Sequence, residues 1–283
     1  MIDKKGIIDY YDVAQVSYED VWHLDDCQAL HYGFWEKGVK TLKQALQKEN
    51  EVLAQLANIQ STDKVLDAGC GVGGSSIYLA KTIGCLVTGI TLSEQQVVTA
   101  RAFANKNGIE GKCNFQAVDF HETPFENESF DVVWFTESFC HSTEPKRLLT
   151  EMYRLLKPGG RIIIADGFMA NENNSPQDSS LLSNWLNNWA VNSIGFMPTI
   201  KNYMNEIGFQ YIEIQDYSSK IAKSTKLLYR YALAAIFIRK FWALLGRKYG
   251  NEITIKNTYG AKYQYQAFKK GLWKYEVVLA KKE

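Results

Sequence analysis

The sequence predicts an α/β fold, a parallel sheet with helices covering both faces. Three observations carry that expectation. From residue 65 onward, short apolar runs rich in Val, Ile and Phe alternate with helix-length segments, the order of parallel strands joined by crossover helices. The first run ends in a glycine cluster, Gly69-Cys70-Gly71-Val72-Gly73-Gly74, and a Pro158-Gly159-Gly160 turn precedes the fifth. A chain of 283 residues can also bury a full core around such a sheet as one elaborated domain.

Val65-Leu66-Asp67-Ala68 is the first strand, apolar enough for burial in a parallel sheet. The glycines after it let the backbone turn sharply and approach a ligand, and Ser75 to Lys81 reads as a helix. Taken literally, Gly69, Gly71 and Gly74 have the spacing of a dinucleotide site, so a nicotinamide or flavin dinucleotide competes with S-adenosylmethionine for this corner. The second strand, Cys85 to Ile90, ends at Thr91. A dinucleotide site usually has a carboxylate at that tip for the ribose hydroxyls. Here Thr91 and Gln96 offer neutral groups that donate and accept, although Gln96 reads equally as a solvated helix residue.

The third strand, Asn114 to Val118, ends at Asp119-Phe120, which places a carboxylate and a ring at the edge where open parallel sheets bind ligands. Asp119 suits an adenine amine there, and a helix cap or loop role is the plainer alternative. Phe130 to Phe135 is the fourth strand, and Leu155 to Gly160 closes a helix before the fifth, Arg161 to Asp166.

Asp67-x-Gly69-x-Gly71, Asp119-Phe120, Phe130-Asp131-Val132-Val133 and Leu156-Lys157-Pro158-Gly159-Gly160, in that order, resemble the class I S-adenosylmethionine-dependent methyltransferases. The stretch Gly89-Ile90-Thr91-Leu92-Ser93-x-x-Gln96 further resembles the branch with sterol C-methyltransferases, tocopherol methyltransferases and cyclopropane fatty acid synthases. In that branch a threonine at the second strand tip is no departure. The resemblance implies a Rossmann-like, seven-stranded, mostly parallel sheet whose last strand, Leu272 to Ala280, runs antiparallel between the fifth and sixth. It implies a core over 45–218 and 272–283, a helical cap over 1–44, and lid insertions at 168–198 and 219–271 that form the acceptor pocket.

The cofactor implied is S-adenosylmethionine. By the same resemblance Gly69, Gly71 and Gly73 lie against its methionine moiety, with Asp67 orienting the turn. Thr91 and Gln96 meet the ribose, Asp119 and Phe120 the adenine, and Glu137 and Ser138 the sulfonium and methyl group. The aromatic N-terminal residues Tyr10, Tyr11, Tyr18, Trp22, His31, Tyr32, Phe34 and Trp35 mostly suit packing, but Tyr11, Tyr32 and Gly33 are expected at the methionine end.

The insertion at 168–198 presents Leu181, Trp185, Trp189 and Phe196, and Gly195 to Pro198 stops its helix. A helix from Thr199 to Ile207 and a sixth strand from Phe209 to Tyr217 follow. Leu227 to Trp242 is the most apolar helix, and its uninterrupted run, Tyr231 to Ile238, is far short of the about 20 residues a bilayer span needs. It reads as a buried lid helix. The second reading is an interfacial membrane contact through 227–248, with Arg239, Lys240, Arg247 and Lys248 at the headgroups.

A formal net charge of +1 and the lack of a basic-aromatic module speak against nucleic acid. Cys27, Cys70, Cys85, Cys113 and Cys140 form no C-x-x-C pair, which indicates a reduced compartment and no zinc site. Met1-Ile2-Asp3-Lys4-Lys5 begins no apolar signal run, so a cytoplasmic location is expected. Oligomeric state is not legible.

A sulfonium makes its methyl group electrophilic, so the protein has mainly to align a nucleophile and exclude water. A phenol, hydroxyl or amine acceptor also needs a base, for which His141 is the first candidate and His31 the second. An alkene acceptor leaves a carbocation, which Tyr and Trp faces and the carboxylate of Glu137 would steady. The expected activity is methyl transfer to a small lipophilic acceptor such as a sterol, isoprenoid or prenyl-phenol. An amine or alkaloid N-methyltransferase, a nicotinamide-dependent oxidoreductase and a non-catalytic binding protein are the alternatives.

Overall fold

A computed structural model describes residues 4–11, 31–247 and 250–283. Among them seven strands form one sheet: β1 Lys64–Ala68, β2 Leu86–Thr91, β3 Cys113–Ala117, β4 Phe130–Thr136, β5 Leu156–Met169, β6 Gln210–Asp216 and β7 Trp273–Lys281. Their order is β3-β2-β1-β4-β5-β7-β6. Strands β1 to β5 are parallel, and β7 runs antiparallel to both β5 and β6. This is the mostly parallel, seven-stranded sheet that the resemblance implies. Strand order reverses between β1 and β4, which opens a crevice at their carboxyl ends.

The helices are α1 Leu42–Leu56, α2 Gly74–Thr82, α3 Glu94–Lys106, α4 Pro145–Leu155, α5 Pro176–Asn188, α6 Met197–Ile207, α7 Ser218–Leu244 and α8 Glu252–Lys269. Their ends follow local chemistry. Thr41 and Gln44 form a capping box at α1, Ser93 caps α3 through the Gln96 amide, and Pro145 opens α4. Alternate residues of β4 feed two cores: Val132 and Trp134 pack on one face of the sheet, Val133 and Phe135 on the other. Covering on both faces is why β4 reads as a continuous apolar run.

Three elements differ from the sequence reading. Strand β5 begins at Leu156, ahead of the Pro-Gly-Gly turn, because the buried Leu156 pairs with Phe130. Pairing resumes at Val132 with Arg161, so residues 157–160 form an excursion within the strand, with Gly159 at φ 75°. Helix α5 ends at Asn188, well before Phe196, which instead bridges to Met169.

Helix α7 is not the buried lid that its apolar run suggests. Within Tyr231 to Ile238 only Ala232 is buried, and Phe237 is 73% exposed. One side of α7 packs along α8, where Tyr229 stacks on Tyr265 with centroids 4.6 Å apart, and the other side stays open. No described helix is long and apolar enough to cross a membrane. Residues 4–11 are helical and 31–41 are not, while Tyr18, Trp22 and Cys27 lie outside the described residues.

Candidate active site

The carboxyl ends of the strands open into a cleft of about 490 Å³. Its floor begins at the glycine corner. The Gly69 and Cys70 amides each donate to Ile90 O at 2.9 Å, which bends the chain off β1. Gly69, Gly71 and Gly73 all have left-handed φ values, 87°, 53° and 87°, open at low cost only to glycine. Asp67 stands just before the corner, and its Oδ2 accepts from Ser76 Oγ at 2.6 Å, tying β1 to the first turn of α2. Burial pushes its carboxyl up to about 6.

Along one wall Thr91 Oγ1 donates to Gln96 Oε1 at 2.5 Å. Gln96 is 5% exposed and lines the cleft, so it is not the solvated helix residue that its position also allowed. Asp119 and Phe120 follow at the end of β3. Asp119 Oδ1 accepts from the His121 amide and ring Nδ1, both at 2.9 Å, and Oδ2 is paired with Lys4 of the N-terminal helical stretch. The His121 hydrogen bond, backed by Lys4, holds the carboxyl well below the usual range. With Nδ1 donating, His121 Nε2 accepts from Ser142 Oγ at 2.8 Å, so Asp119 is braced from the segment leading into α4.

At the end of β4, Glu137 has a left-handed φ of 50°, a strained conformation for a residue with a side chain. Its Oε1 accepts from the Tyr32 amide at 2.7 Å and lies 3.1 Å from the Tyr275 hydroxyl. That hydroxyl also meets Glu49 Oε1 at 2.6 Å. One phenolic proton cannot serve two carboxylates fully, and burial together with the charge of Glu49 pushes the Glu137 carboxyl well above the usual range. Glu49 Oε2 in turn accepts from the Gly33 amide at 2.9 Å and faces His31 Nδ1 at 2.5 Å. His31, Glu49 and Glu137 bring one ligand atom each within 4.8 Å of one another, and Glu49 already faces the Gly33 amide, the Tyr275 hydroxyl and His31 Nδ1.

Ser138 lines the cleft, its hydroxyl donating to Ala68 O at 2.6 Å. His141 closes a short 3-10 turn, Phe139–His141. Its Nε2 lies 2.7 Å from the Tyr11 hydroxyl, and its buried Nδ1 has no hydrogen-bond partner among the described residues. Desolvation pushes the imidazole down to about 4, so it is neutral at pH 7.

Two glycines expected against the cofactor are turned into the scaffold instead, and neither lines the cleft. A Cβ on Gly33 would meet Ala45 C and Leu46 N at 2.7 Å, so its role is close packing on α1. A Cβ on Gly73 would meet the Phe115 ring at 2.9 Å. The remaining sequence-derived candidates, Tyr11, His31, Tyr32, Asp67, Gly69, Gly71, Thr91, Gln96, Asp119, Phe120, Glu137, Ser138 and His141, all line this one cleft.

The sequence reading left out Glu49, His121, Asp166 and Tyr275. Asp166 was the most accessible of these, because it stands on β5 much as Asp119 follows β3. It accepts from the Cys140 and Gly167 amides at 2.9 and 2.7 Å, and burial pushes it up to about 6. A carboxyl raised in the folded state contributes stability that is complete below its unfolded value of 3.8 and lost as pH rises through about 6. His141 works oppositely: its contribution is present above 6.5 and lost as pH falls through about 4. Asp166→Asn removes only the first effect. The variant is therefore expected to gain about 3 kcal/mol relative to the parent between pH 4 and 7 in urea unfolding. Parallel pH profiles for the two proteins would contradict the assignment.

Residues 66–164 match the family model described as a methyltransferase domain. Residues 66–164 thus form a methyltransferase domain. Among its relatives, methyltransferase GfsG of Streptomyces halstedii is 34% identical over 160 residues, 56% of this chain and 56% of that protein. The chloroplastic tocopherol O-methyltransferase of Arabidopsis thaliana is 27% identical over 297 residues, 99% of this chain and 82% of that protein. The chain thus spans about half the length of several curated relatives it matches and most of the length of this one.

Among solved structures, the cyclase SpnF aligns with a TM-score of 0.80 at 23% identity, covering 99% of this chain and 96% of that one. The geranyl diphosphate C-methyltransferase of Streptomyces coelicolor A3(2) aligns with a TM-score of 0.75 at 18% identity, covering 99% and 98%. The methyltransferase domain supplies the glycine corner, Thr91, Asp119, Glu137 and His141. Tyr32, Trp185, Trp189 and Trp273 line the same cleft from outside the matched residues.

Proposed function

We propose that the chain is an S-adenosylmethionine-dependent methyltransferase whose acceptor is a small lipophilic molecule of the isoprenoid, sterol or prenyl-phenol kind. One observation carries the reading: a single cleft is lined by the glycine corner and Asp119 and also by Trp185, Leu186, Trp189, Ile194 and Trp273. The residues fit the cofactor. A Cβ on Gly71 would meet only Gln96 Nε2, at 4.0 Å, so backbone is presented where a methionine moiety can approach closely. The Thr91–Gln96 pair is neutral and suits ribose hydroxyls, and Asp119 Oδ2, which Lys4 takes here, suits an adenine amine.

When bound, the cofactor supplies a methyl group on a sulfonium. The chain's own residues position and deprotonate the acceptor. If His141 Nε2–H donates to Tyr11, Nδ1 carries a lone pair, and a neutral imidazole can take a proton from a phenol. The aromatic wall excludes water and offers ring faces to an apolar or cationic group. The relatives named for tocopherol and geranyl diphosphate methylation support this acceptor class.

A second reading, N-methylation of a small amine, is favoured by Glu137 and Asp166, two carboxyls that line the cleft and that a bound cation would draw into their charged forms. The glycine/sarcosine/dimethylglycine N-methyltransferase of Actinopolyspora halophila, 30% identical over 212 residues, supports it. The test is incubation of the full chain with methyl-labelled cofactor and separate isoprenoid, phenol and amine acceptors, with mass spectrometry of the products. Transfer to the lipophilic set is expected, along with thermal stabilisation by S-adenosylmethionine and none by nicotinamide dinucleotides. Transfer to amines alone favours the second reading. Cofactor binding with no transfer to any acceptor overturns both.

A further inference from the structure

We infer that the C-terminal half of α7 docks the protein on an anionic membrane surface. Leu233, Phe237, Phe241 and Leu244 are 42%, 73%, 53% and 85% exposed. Spaced by four, four and three residues, they form one stripe along the helix, about 16 Å long. The opposite side is committed to α8, where Arg239 lies over the Tyr259 ring at 4.9 Å, and one turn before the stripe Tyr229 stacks on Tyr265.

Charge says what covers the stripe. Helix α7 contains six Lys and Arg residues and no Asp or Glu, although the whole chain has a formal charge of only +1, so the remainder is net acidic. Three of the six stand on the stripe's own face: exposed Lys226 and Arg230 lie two turns and one turn before Leu233, and exposed Lys240 falls between Phe237 and Leu244. Arg247 follows past the helix end, 5.2 Å from the Trp242 ring. The first acidic residue beyond α7, Glu252, is paired with Lys256 at 2.8 Å.

Apolar side chains interleaved with long basic ones suit a bilayer interface, where rings and Leu enter the acyl boundary while Lys and Arg heads reach lipid phosphates. A second copy of the chain suits it poorly. A two-fold interface through this stripe would bring two basic helices together with no carboxylate of α7 to balance them.

The base of α7 is fixed to the core. Trp35 Nε1 donates to Ser224 Oγ at 2.7 Å, and Leu228 lines the cleft. A docked α7 would therefore lead from the bilayer toward the cleft wall, the route an oily acceptor needs. That last point rests on the proposed function. The docking itself does not.

The test is flotation of the full chain with phosphatidylcholine vesicles and with vesicles that also contain phosphatidylglycerol, at low and high salt. No cofactor is required. Binding to the anionic vesicles, weakened at least about ten-fold by high salt or a neutral bilayer, is expected. Phe237→Ser with Leu244→Ser is expected to lose at least about ten-fold. Arg230→Gln with Lys240→Gln is expected to lose on the order of 20-fold, from about five-fold per basic residue. All four positions are exposed, and circular dichroism checks that both variants keep their fold. Absent binding to anionic vesicles, or parental binding by both variants, would overturn the inference. So would a concentration-dependent dimer of the parent that Phe237→Ser with Leu244→Ser abolishes.

Discussion

Glu49→Ala is expected to lower the free energy of unfolding by about 3 to 5 kcal/mol, the range for leaving buried polar partners without their charge. Glu49 is fully buried inside α1; its Oε2 accepts from the Gly33 amide and faces His31 Nδ1, and its Oε1 accepts from the Tyr275 hydroxyl. Removing it strands these three groups and opens a void next to Glu137. Glu49→Gln keeps the volume and one acceptor oxygen but turns an amide N–H toward at least one donor, so an intermediate loss is expected. Urea unfolding measures both. An alanine variant within about 1 kcal/mol of the parent would show that the network adds little to stability.

Gly69→Ala is expected to cost about 2 to 5 kcal/mol and to weaken cofactor binding at least ten-fold. Two terms add. A residue with a side chain in the left-handed region costs about 1 to 2 kcal/mol, and Gly69 has a φ of 87°. Its new Cβ would lie 2.4 Å from Ser138 Cβ, an overlap that requires the backbone to shift and costs about 1 to 3 kcal/mol more. Gly71→Ala is the informative contrast. Its Cβ would meet only Gln96 Nε2, at 4.0 Å, so only the left-handed strain acts on folding while the close approach to a ligand is still lost. Denaturation and cofactor calorimetry together should separate the two variants. Equal losses of stability would argue against steric contact at Ser138.

Strand ends were the legible part of the site. Thr91, Asp119, Glu137 and Asp166 stand at or just beyond the carboxyl ends of β2, β3, β4 and within β5 because apolar runs stop there, and the stop is visible in a few consecutive residues. Glu49 left no such mark. In the middle of a helix it reads as a solvated charge, yet its partner Tyr275 is 226 residues away. The glycines show the same limit from the other side. Residue type announces that backbone or a ligand comes close, and for Gly33 and Gly73 the close neighbours are Ala45 and Phe115.

The strand-helix alternation, the glycine corner and the residues at the sheet's carboxyl edge could be deduced from the chain's order, because strand period and turn chemistry are local properties. Three matters awaited the folded chain: which glycines face the cleft, where the carboxylates of Glu49 and Glu137 send their oxygens, and which side of α7 remains uncovered. Each depends on what another segment brings alongside. The apolar run at Tyr231 to Ile238 looks the same in sequence whether a neighbour covers it or not, and only its packing along α8 shows that one face stays bare.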